Sequence, residues 1–203
     1  LVDRDGALAV PCEYDGIERF AWAGEYVYRL RGCACVERDG GYNFVGADGQ
    51  PVYAEFFTDV ERYGLCMART GADGRVELIA ADGTPINADT IIYSWKMLLD
   101  PIMANQMADF VANNSVTIVN AVEYYMQGTS NTVAWEDVGI KKVDDYTIQI
   151  TTVDANNQVD VCAQFTDRST FPVYEPYYEA GMNEERTETT YGTTMDNWMG
   201  CGP

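Results

Sequence analysis

An Asp-Gly dipeptide recurs through the first 85 residues, and this recurrence constrains the fold more than any other feature of the chain. The segment "DGALAVPCEYDGIERF" begins at Asp5, and "DGQPVYAEFFTDVERY" begins at Asp48. Laid together without gaps, the segments match at the Asp-Gly pair and at five later pairs: Tyr14 with Phe57, Ile17 with Val60, Glu18 with Glu61, Arg19 with Arg62, and Phe20 with Tyr63. Similar units of this size bury apolar surface by stacking on their neighbours.

The dipeptide itself predicts the local structure. Further Asp-Gly pairs begin at Asp39, Asp73 and Asp82. Glycine adopts positive φ without a steric cost, so each pair favours a tight hairpin turn. The neighbouring runs "GYNFVGA" and "RVELIAA" are rich in β-branched and aromatic residues, as strands are. Residues 1–85 are therefore predicted to form an all-β stack of hairpin repeats, with a generic β-meander as the alternative.

These hairpin units resemble the WG-repeat family, also called KWG repeats. The resemblance lies in "VDRDGALAVPCEYDGIERF", in "YNFVGADGQPVYAEFFTDVERYGLCMA" and in "GRVELIAADGTP". The chain departs from the family pattern because no Trp-Gly dipeptide occurs. The resemblance implies an interaction or spacer module at a cell surface, and it implies no catalysis.

The chain changes character at "DGTPINADTIIYSWKMLLDP", residues 82–101, where an amphipathic helix is predicted. Asn87 is a good N-cap, and Asp100-Pro101 ends the helix because a residue before proline avoids helical geometry. One face carries apolar side chains at helical spacing: Ile91, Ile92, Trp95, Leu98 and Leu99. Trp95 is interpreted as a core anchor of this face rather than as a ligand-stacking side chain.

More helices and a pair of strands are predicted beyond this helix. The helices lie in "ANQMADFVANN", in "VNAVEYYMQG" with Gly128 as its C-terminal cap, in "QVDVCAQF", and from Glu175 to Gly181. The strands "VGIKKV" and "TIQITTV" flank a turn, with three side chains on one face: Tyr146, Ile148 and Ile150. Residues 86–203 are thus predicted to be α+β, with about four helices and a short antiparallel pair.

Five ordered segments of residues 82–203 resemble the family 5 extracellular solute-binding proteins, which are the oligopeptide-, dipeptide- and nickel-type receptors of ABC importers. The first segment, residues 82–101, is similar to the family's "DGTPVTADDVVYSWKRLLDP". The others are "VNAVEYYMQGTSN", "EDVGIKKVDDYTIQITTV", "FPVYEPYYEAG" and the terminal "GCGP". The resemblance implies that residues 86–203 form a partial lobe of the type II periplasmic-binding-protein fold, truncated before the second lobe. The family's tryptophan two residues before the Asp-Gly is Ala80 here.

The same resemblance implies where a ligand would be bound. The family segments that approach the ligand cleft correspond to Met107 and to the run Ser169, Thr170 and Phe171. Receptors of this kind hold peptides through backbone hydrogen bonds and tolerant side-chain pockets. The helix of residues 82–101 is expected to support the cleft without touching the ligand. Because the second lobe would supply most contacts, this chain alone is expected to show no micromolar peptide binding.

The composition disfavours other classes of function. The chain has no histidine, which removes the usual general base and a common metal ligand, and no constellation around a nucleophile is visible. The net charge of −19 disfavours nucleic acid and anionic membranes as partners. No run approaches the ~20 apolar residues of a membrane span. We therefore expect no enzyme activity, no cofactor and no metal site.

The acidic and cysteine residues have ordinary structural interpretations. Asp144-Asp145 suits a turn better than acid-base catalysis, and Glu184-Glu185 with Arg186 suits a solvated loop. Four aspartates lack the spacing of a calcium loop: Asp3, Asp5, Asp39 and Asp48. The chain has six cysteines: Cys12, Cys33, Cys35, Cys66, Cys162 and Cys201. They are interpreted as buried free thiols, and the alternative is a disulfide bridge within residues 1–70.

The favoured interpretation is an extracytoplasmic solute-binding component of an ABC importer, with oligopeptides as the expected ligand. The expected partners are a short peptide or similar small solute and the permease subunits of the transporter. The chain begins at Leu1 without methionine and reads as a fragment, and the full-length protein is expected to be membrane-anchored at the cell surface or in the periplasm. The alternative is a cell-surface protein-interaction module built on the WG-like repeats, with a non-transporting scaffold behind it.

Overall fold

The chain divides into two units in the computed structural model, the first running to Pro85 and the second from Ile86 to Gly202. Each unit has its own apolar core, and each is described by itself. The structure describes the following residues: 6, 8, 12–17, 33–46, 48–63, 66–80, 83–194 and 197.

The described part of the first unit consists of strands and turns. Three strands form one sheet in the order β1-β2-β3: β1 Gly16–Ile17, β2 Ala34–Arg38 and β3 Gly41–Val45. Four strands form a second sheet in the order β4-β5-β6-β7: β4 Asp59–Tyr63, β5 Cys66–Thr70, β6 Val76–Ile79 and β7 Pro85–Ile86. The pairings β1-β2, β2-β3, β4-β5 and β5-β6 are antiparallel, so successive strands are neighbours along most of the unit.

The predicted turn at Asp39-Gly40 is confirmed. Both residues have positive φ, 53° for Asp39 and 75° for Gly40. They connect β2 to β3, whose terminal residues Arg38 and Gly41 are paired. This is the geometry of a two-residue hairpin loop, whose backbone twist matches the twist of the strands that it joins.

A second kind of turn occurs three times among the described residues of the first unit. Each of these turns spans five residues. The N–H of the first residue donates to the carbonyl of the fifth. The fourth residue is a glycine, and its N–H donates to the carbonyl of the first. The first-to-fifth pairs are Gly46–Gln50, Gly71–Arg75 and Ala80–Thr84, with N···O distances of 3.1, 2.9 and 2.8 Å. The glycines are Gly49, Gly74 and Gly83, with φ of 77°, 79° and 89°. Such loops place glycine where only positive φ closes the turn.

Two apolar clusters hold the first unit together. One contains Cys35, Phe44 and Ile79, and the other contains Val36 and Val45 with Tyr14 and Ile17 packed against them. Asn43 is fully buried next to the first cluster, and its Nδ2 donates to the carbonyls of Tyr53 and Glu55 at 2.8 and 3.1 Å. A buried amide is tolerated because these bonds satisfy it.

Several of the residues named in the sequence analysis lie outside the described residues. These include the residues before Gly6, residues 18–20 of the aligned repeat, Asp82 and Cys201, and the side chains of residues 61–63, 66 and 67. Cys12 and Cys162 are exposed, so the interpretation of the cysteines as buried does not hold for these two. Cys33 and Cys35 contribute to the Phe44 cluster, and burial together with Asp48 raises the pKa of the Cys33 thiol. A bridge within residues 1–70 stays a prediction.

The second unit mixes helices with a two-stranded antiparallel sheet, which confirms the predicted α+β class for this part of the chain. Its described residues form five α-helices, one in each predicted helical segment: α1 Ala88–Leu98, α2 Asp109–Ala112, α3 Ala121–Met126, α4 Gln158–Phe165 and α5 Glu175–Ala180. The sheet pairs β8 Ile140–Asp144 with β9 Thr147–Ile150. Two short 3₁₀ turns lie at Trp135–Asp137 and Arg168–Thr170.

Helix α1 begins at the predicted cap. The side chain of Asn87 accepts hydrogen bonds from the backbone N–H groups of Asp89 and Thr90, at 3.0 and 3.4 Å. Thr90 returns the interaction, because its Oγ1 accepts from the N–H of Asn87 at 3.3 Å. This reciprocal capping satisfies N–H groups that have no partner within the helix. The helix ends just before Asp100-Pro101, as predicted.

The apolar face of α1 lies in the core of the second unit, as predicted. Trp95 is 7% exposed and Leu99 is fully buried, while Ile91, Ile92 and Leu98 are partly buried against the same cluster. Other helices and β8 also contribute to the cluster, with Val111 from α2, Ala121 from α3 and Ile140 from β8, and Val138 joins it from the residue after the Trp135–Asp137 turn. Fully burying one side chain of this size stabilises the fold by about 1.5–3 kcal/mol, so this face fixes α1 in place.

The β8–β9 hairpin corrects one detail of the sequence analysis. Ile148 and Ile150 pack against the core, but Tyr146 lies in the turn and is 53% exposed. The predicted face of three therefore holds for only two side chains, because the turn consumes Asp145 and Tyr146. The turn interpretation of the aspartate pair is confirmed, since Asp144 Oδ1 accepts from the Tyr146 N–H at 2.9 Å.

Candidate functional site

The predicted ligand-contacting residues lie on two segments of the second unit. Met107 precedes α2 and is 37% exposed. Ser169 and Thr170 belong to the Arg168–Thr170 turn, and Phe171 follows it with 38% exposure. Helix α2 and this turn are in contact, so the structure brings the two segments into the same neighbourhood.

Thr170 faces the protein and not the solvent. It is 4% exposed, and its Oγ1 donates to the carbonyl of Asp167 at 2.6 Å. Its N–H donates to the same carbonyl at 3.0 Å, and its own carbonyl accepts from Nε1 of Trp95 at 2.9 Å. The Thr170 hydroxyl is therefore used within the fold, and a ligand contact of Thr170 stays a prediction.

Ser169 and Phe171, on either side of Thr170, are the accessible members of the run. Ser169 is half-buried, and its N–H donates to Oδ1 of Asp167 at 2.8 Å. Phe171 presents its ring to solvent, and the next residue is Pro172, which has no N–H to donate. In this short candidate segment Thr170 is buried, Ser169 is half-buried and Phe171 is exposed. Contacts of these residues with a ligand stay a prediction.

The sequence analysis missed the side chains that hold this segment and its neighbours. Ser94, on α1, accepts from the N–H of Val173 at 2.9 Å through Oγ. Gln164, on α4, is fully buried, and its Oε1 accepts from the N–H groups of Ser115 and Val116 at 2.8 and 2.6 Å. The only sequence signal was a polar residue within an apolar helical pattern. Such a residue does not indicate which distant group its side chain binds.

A charged cluster joins α1 to α5. Glu179 accepts from the hydroxyl of Tyr93 at 2.6 Å and from both terminal nitrogens of Arg186 at 2.8 Å. The hydrogen bonds from Arg186, and then that from Tyr93, lower the pKa of Glu179 to about 2. Burial and the bond to Glu179 raise the pKa of Tyr93. The interpretation of residues 184–186 as a solvated loop is confirmed, since all three are exposed outside any helix or strand. The sequence did not predict that the Arg186 guanidinium binds Glu179 through two hydrogen bonds.

A second charged cluster lies at the β8–β9 turn. Nζ of Lys142 lies 2.6 Å from a carboxylate oxygen of Asp89 and 2.8 Å from one of Asp145. The backbone N–H of Tyr146, first among several hydrogen bonds, lowers the pKa of Asp144. These carboxylates therefore serve the turn and the helix start. Within the described residues, no group of three or more cysteine or acidic side chains is arranged to hold a metal ion.

The first unit contains a cavity of about 530 Å³. Arg69 lies in its wall, with Cζ 4.2 Å from the ring centroid of Tyr53 and 4.6 Å from that of Phe57. Nη2 of Arg69 lies 2.6 Å from a carboxylate oxygen of Glu77. The remaining lining includes Glu55, Asp73 and Arg75, so the wall is aromatic and charged.

Comparison with curated proteins finds two periplasmic oligopeptide-binding proteins. Periplasmic oligopeptide-binding protein OppA of Escherichia coli (strain K12) is 28% identical over 71 residues, which cover 35% of this chain and 12% of that protein. The OppA of Salmonella typhimurium is 30% identical over 71 residues, with the same coverage. The chain thus matches only a small part of the length of these relatives.

Among solved structures, Listeria monocytogenes OppA bound to peptide is 23% identical with a TM-score of 0.46, covering 77% of this chain and 27% of that one. The Escherichia coli murein tripeptide binding protein MppA is 24% identical with a TM-score of 0.46, covering 76% of this chain and 26% of that one.

Among the described residues, no helix combines the length and apolar character that crossing a membrane requires.

The sequence profile of the bacterial extracellular solute-binding proteins, family 5 Middle, matches residues 81–203. This match begins close to the start of the second unit and takes in all of its helices and its β8–β9 hairpin. It spans more than half of the chain. The chain therefore belongs to the family 5 bacterial extracellular solute-binding proteins.

Proposed function

We propose that the second unit is part of the extracytoplasmic solute-binding component of an ABC importer, with an oligopeptide as ligand. The observation that carries the proposal is the family match over residues 81–203. The curated relatives that match are both named as periplasmic oligopeptide-binding proteins, which favours a peptide over other solutes.

The proposed ligand is a short peptide or similar small solute that lies against Phe171 and Ser169, with Met107 as a further contact. Exposure of Phe171 and Met107 leaves both side chains accessible, and a flexible thioether and a flat ring suit ligands of varied sequence. Thr170, which is buried between Ser169 and Phe171 in the chain, would hold this segment on the protein. Short peptides are commonly held through their backbone with roomy contacts for their side chains.

The proposal also includes partners and location. An importer's solute-binding component delivers its ligand to permease subunits, so these are the proposed protein partners. The location is outside the cytoplasm, at a cell surface or in a periplasm, with a membrane anchor in the full-length protein. Family membership and the periplasmic relatives support this location.

The experiment is an NMR titration of the ¹⁵N-labelled chain with trialanine, and with free alanine as the control. Because the chain is expected to bind weakly, the peptide is added to millimolar concentration, where an interaction of only about 4 kcal/mol is detected. We expect shifts for the amides of Ser169, Thr170 and Phe171 with trialanine and none with alanine. Trialanine at this concentration with no shift in these amides would contradict the proposal.

The cavity of the first unit favours a second candidate function, that of a surface interaction module. Under this alternative the first unit is a WG-like stack of hairpin repeats that binds another macromolecule, while the second unit is a non-transporting scaffold. The aromatic and charged wall around Arg69 supports it, since binding pockets combine apolar surface with a few polar groups. Shifts confined to Tyr53, Phe57 and residues 71–77 in the same titration would favour this function.

A further inference from the structure

We propose that Ser94 and Trp95, adjacent residues of α1, are positioning residues that hold the segment Thr170–Val173 in its ligand-ready shape. The inference rests on the proposed function, because it assigns a task to residues that support the candidate ligand segment. It changes the interpretation of α1, since the helix then acts on the binding segment directly and not only as part of the core.

Two hydrogen bonds join α1 to the two ends of this segment. Nε1 of Trp95 donates to the carbonyl of Thr170 at 2.9 Å, in a buried environment. Oγ of Ser94 accepts from the N–H of Val173 at 2.9 Å. One bond uses the carbonyl at the start of the segment and the other uses the N–H at its end, so the segment is tied at both ends to one rigid helix.

Both anchoring side chains are themselves fixed. The indole of Trp95 stacks on Phe165 with ring centroids 4.9 Å apart and an interplanar angle of 28°. The hydroxyl of Ser94 donates to the carbonyl of Thr90 at 2.7 Å, which leaves an oxygen lone pair for Val173. Ser94 and Trp95 are 5% and 7% exposed, so water does not compete freely for these bonds.

The residues between the anchors have little freedom left. Pro172 fixes its own φ and restricts Phe171, the residue before it, to extended geometry. Thr170 is also bound to Asp167 through both its hydroxyl and its N–H. Phe171 is left as the exposed residue of a restrained segment.

A segment that is ordered before the ligand arrives spends less free energy on ordering when the ligand binds. Loss of either anchor leaves a backbone group without its partner and lets the segment open. The expected consequence is faster exchange of the two hydrogen-bonded amides of the segment, Thr170 and Val173, together with weaker ligand binding. A purely structural role for the same side chains predicts lower overall stability without this local effect.

The test uses four variants of the full chain with closely matched changes. Trp95→Phe removes the Nε1 donor and keeps an aromatic ring next to Phe165. Ser94→Ala removes the acceptor of the Val173 N–H, and Ser94→Thr restores a hydroxyl as the rescue. Tyr93→Phe is the control, because it removes the hydroxyl that donates to Glu179, from the residue next to Ser94 on the same helix.

Hydrogen exchange by NMR, thermal unfolding and the trialanine titration are measured for each variant. We expect Trp95→Phe and Ser94→Ala to speed exchange at the hydrogen-bonded amides of Thr170 and Val173 by about five- to tenfold and to weaken trialanine binding about fivefold, as the loss of one net hydrogen bond implies. Tyr93→Phe and Ser94→Thr are expected to leave both quantities within about twofold of the parent chain, even where the thermal midpoint falls.

Two results would overturn the positioning role. One is exchange at Thr170 and Val173 that responds no more to Trp95→Phe and Ser94→Ala than to Tyr93→Phe. The other is faster exchange with unchanged trialanine affinity, because the segment is then held for a reason other than the ligand. If the parent chain does not bind trialanine at all, the proposed function fails, and the exchange rates alone still decide whether α1 holds the segment.

Discussion

The two units of this chain are stabilised in different ways, and the difference explains which features a sequence reveals. The first unit is closed by turns whose hydrogen bonds join residues three or four positions apart, such as Gly46, Gly49 and Gln50. The second unit depends on side-chain bonds between distant residues: Trp95 with Thr170 and Ser94 with Val173 are 75 and 79 positions apart. Local chemistry shapes the first unit, whereas long-range pairing shapes the proposed binding segment of the second.

The largest expected effect tests whether the two units have separate cores. Leu99→Ala removes a fully buried side chain of the second core, and such substitutions cost about 2–5 kcal/mol of the free energy of unfolding. The measurement is urea unfolding followed by residue-resolved hydrogen exchange. We expect protection to fall in α1, α3 and β8 and to persist at Phe44 and Ile79 in the first unit.

Ile102→Ala is the matched control for this experiment, because Ile102 is 39% exposed and its removal leaves no cavity in the core. We expect it to change the free energy of unfolding by less than about 1 kcal/mol. Equal loss of protection in both units after Leu99→Ala would show a single cooperative core and would remove the basis of the comparison.

A substitution of intermediate size tests the turn-based stability of the first unit. Gly74 has φ of 79°, and a Cβ added there meets no atom within 4 Å, so any cost arises from the backbone conformation alone. Gly74→Ala is expected to destabilise the first unit by about 1–2 kcal/mol. Chemical denaturation of Gly74→Ala and of the parent chain measures this loss of stability.

Gly74→Asn serves as the control for this prediction, because asparagine adopts left-handed geometry more readily than alanine does. We expect it to recover much of the lost stability. If the two substitutions cost the same, backbone strain is not what makes this glycine necessary.

The smallest expected effect concerns the pH dependence of the second unit. The pKa of Glu179 is lowered from 4.5 to about 2, so its contribution to stability is fully present above pH 4.5 and is lost as the pH falls through about 2. Glu179 is about one-third exposed, and solvent screening limits this contribution to less than about 1 kcal/mol. Urea unfolding at several pH values between these limits measures it.

Glu179→Gln is the comparison for the pH experiment. The variant is expected to lose this part of the acid dependence while the parent chain keeps it. The same acid dependence in both proteins would show that other carboxylates are responsible, and that the bonds from Arg186 and Tyr93 do not stabilise the charged form of Glu179.

Features with a local chemical cause were predictable from the sequence. The Asp39-Gly40 turn follows from the backbone freedom of glycine, and the start of α1 follows from the capping ability of Asn87. The buried face of α1 follows from helical spacing. In the β8–β9 hairpin the same approach was wrong for Tyr146, because alternation does not say how many residues the turn uses.

The partners of buried polar groups were not predictable. Helical periodicity places Trp95 on the inner face of α1, but it does not indicate that the indole N–H meets the carbonyl of Thr170. Likewise, the charges of "NEER" near the chain's end favour a loop, while the tertiary fold brings Arg186 to Glu179. At the candidate site, family resemblance selected the segment, and only packing separates the inward Thr170 from the exposed Phe171.

A crystal structure of the chain grown with trialanine tests the central claim most directly, namely that the second unit binds peptides at a segment held by α1. We predict peptide density against Phe171 and Ser169, with the bonds from Trp95 to Thr170 and from Ser94 to Val173 intact. Peptide density in the first-unit cavity next to Arg69, with none at Phe171, would contradict the claim.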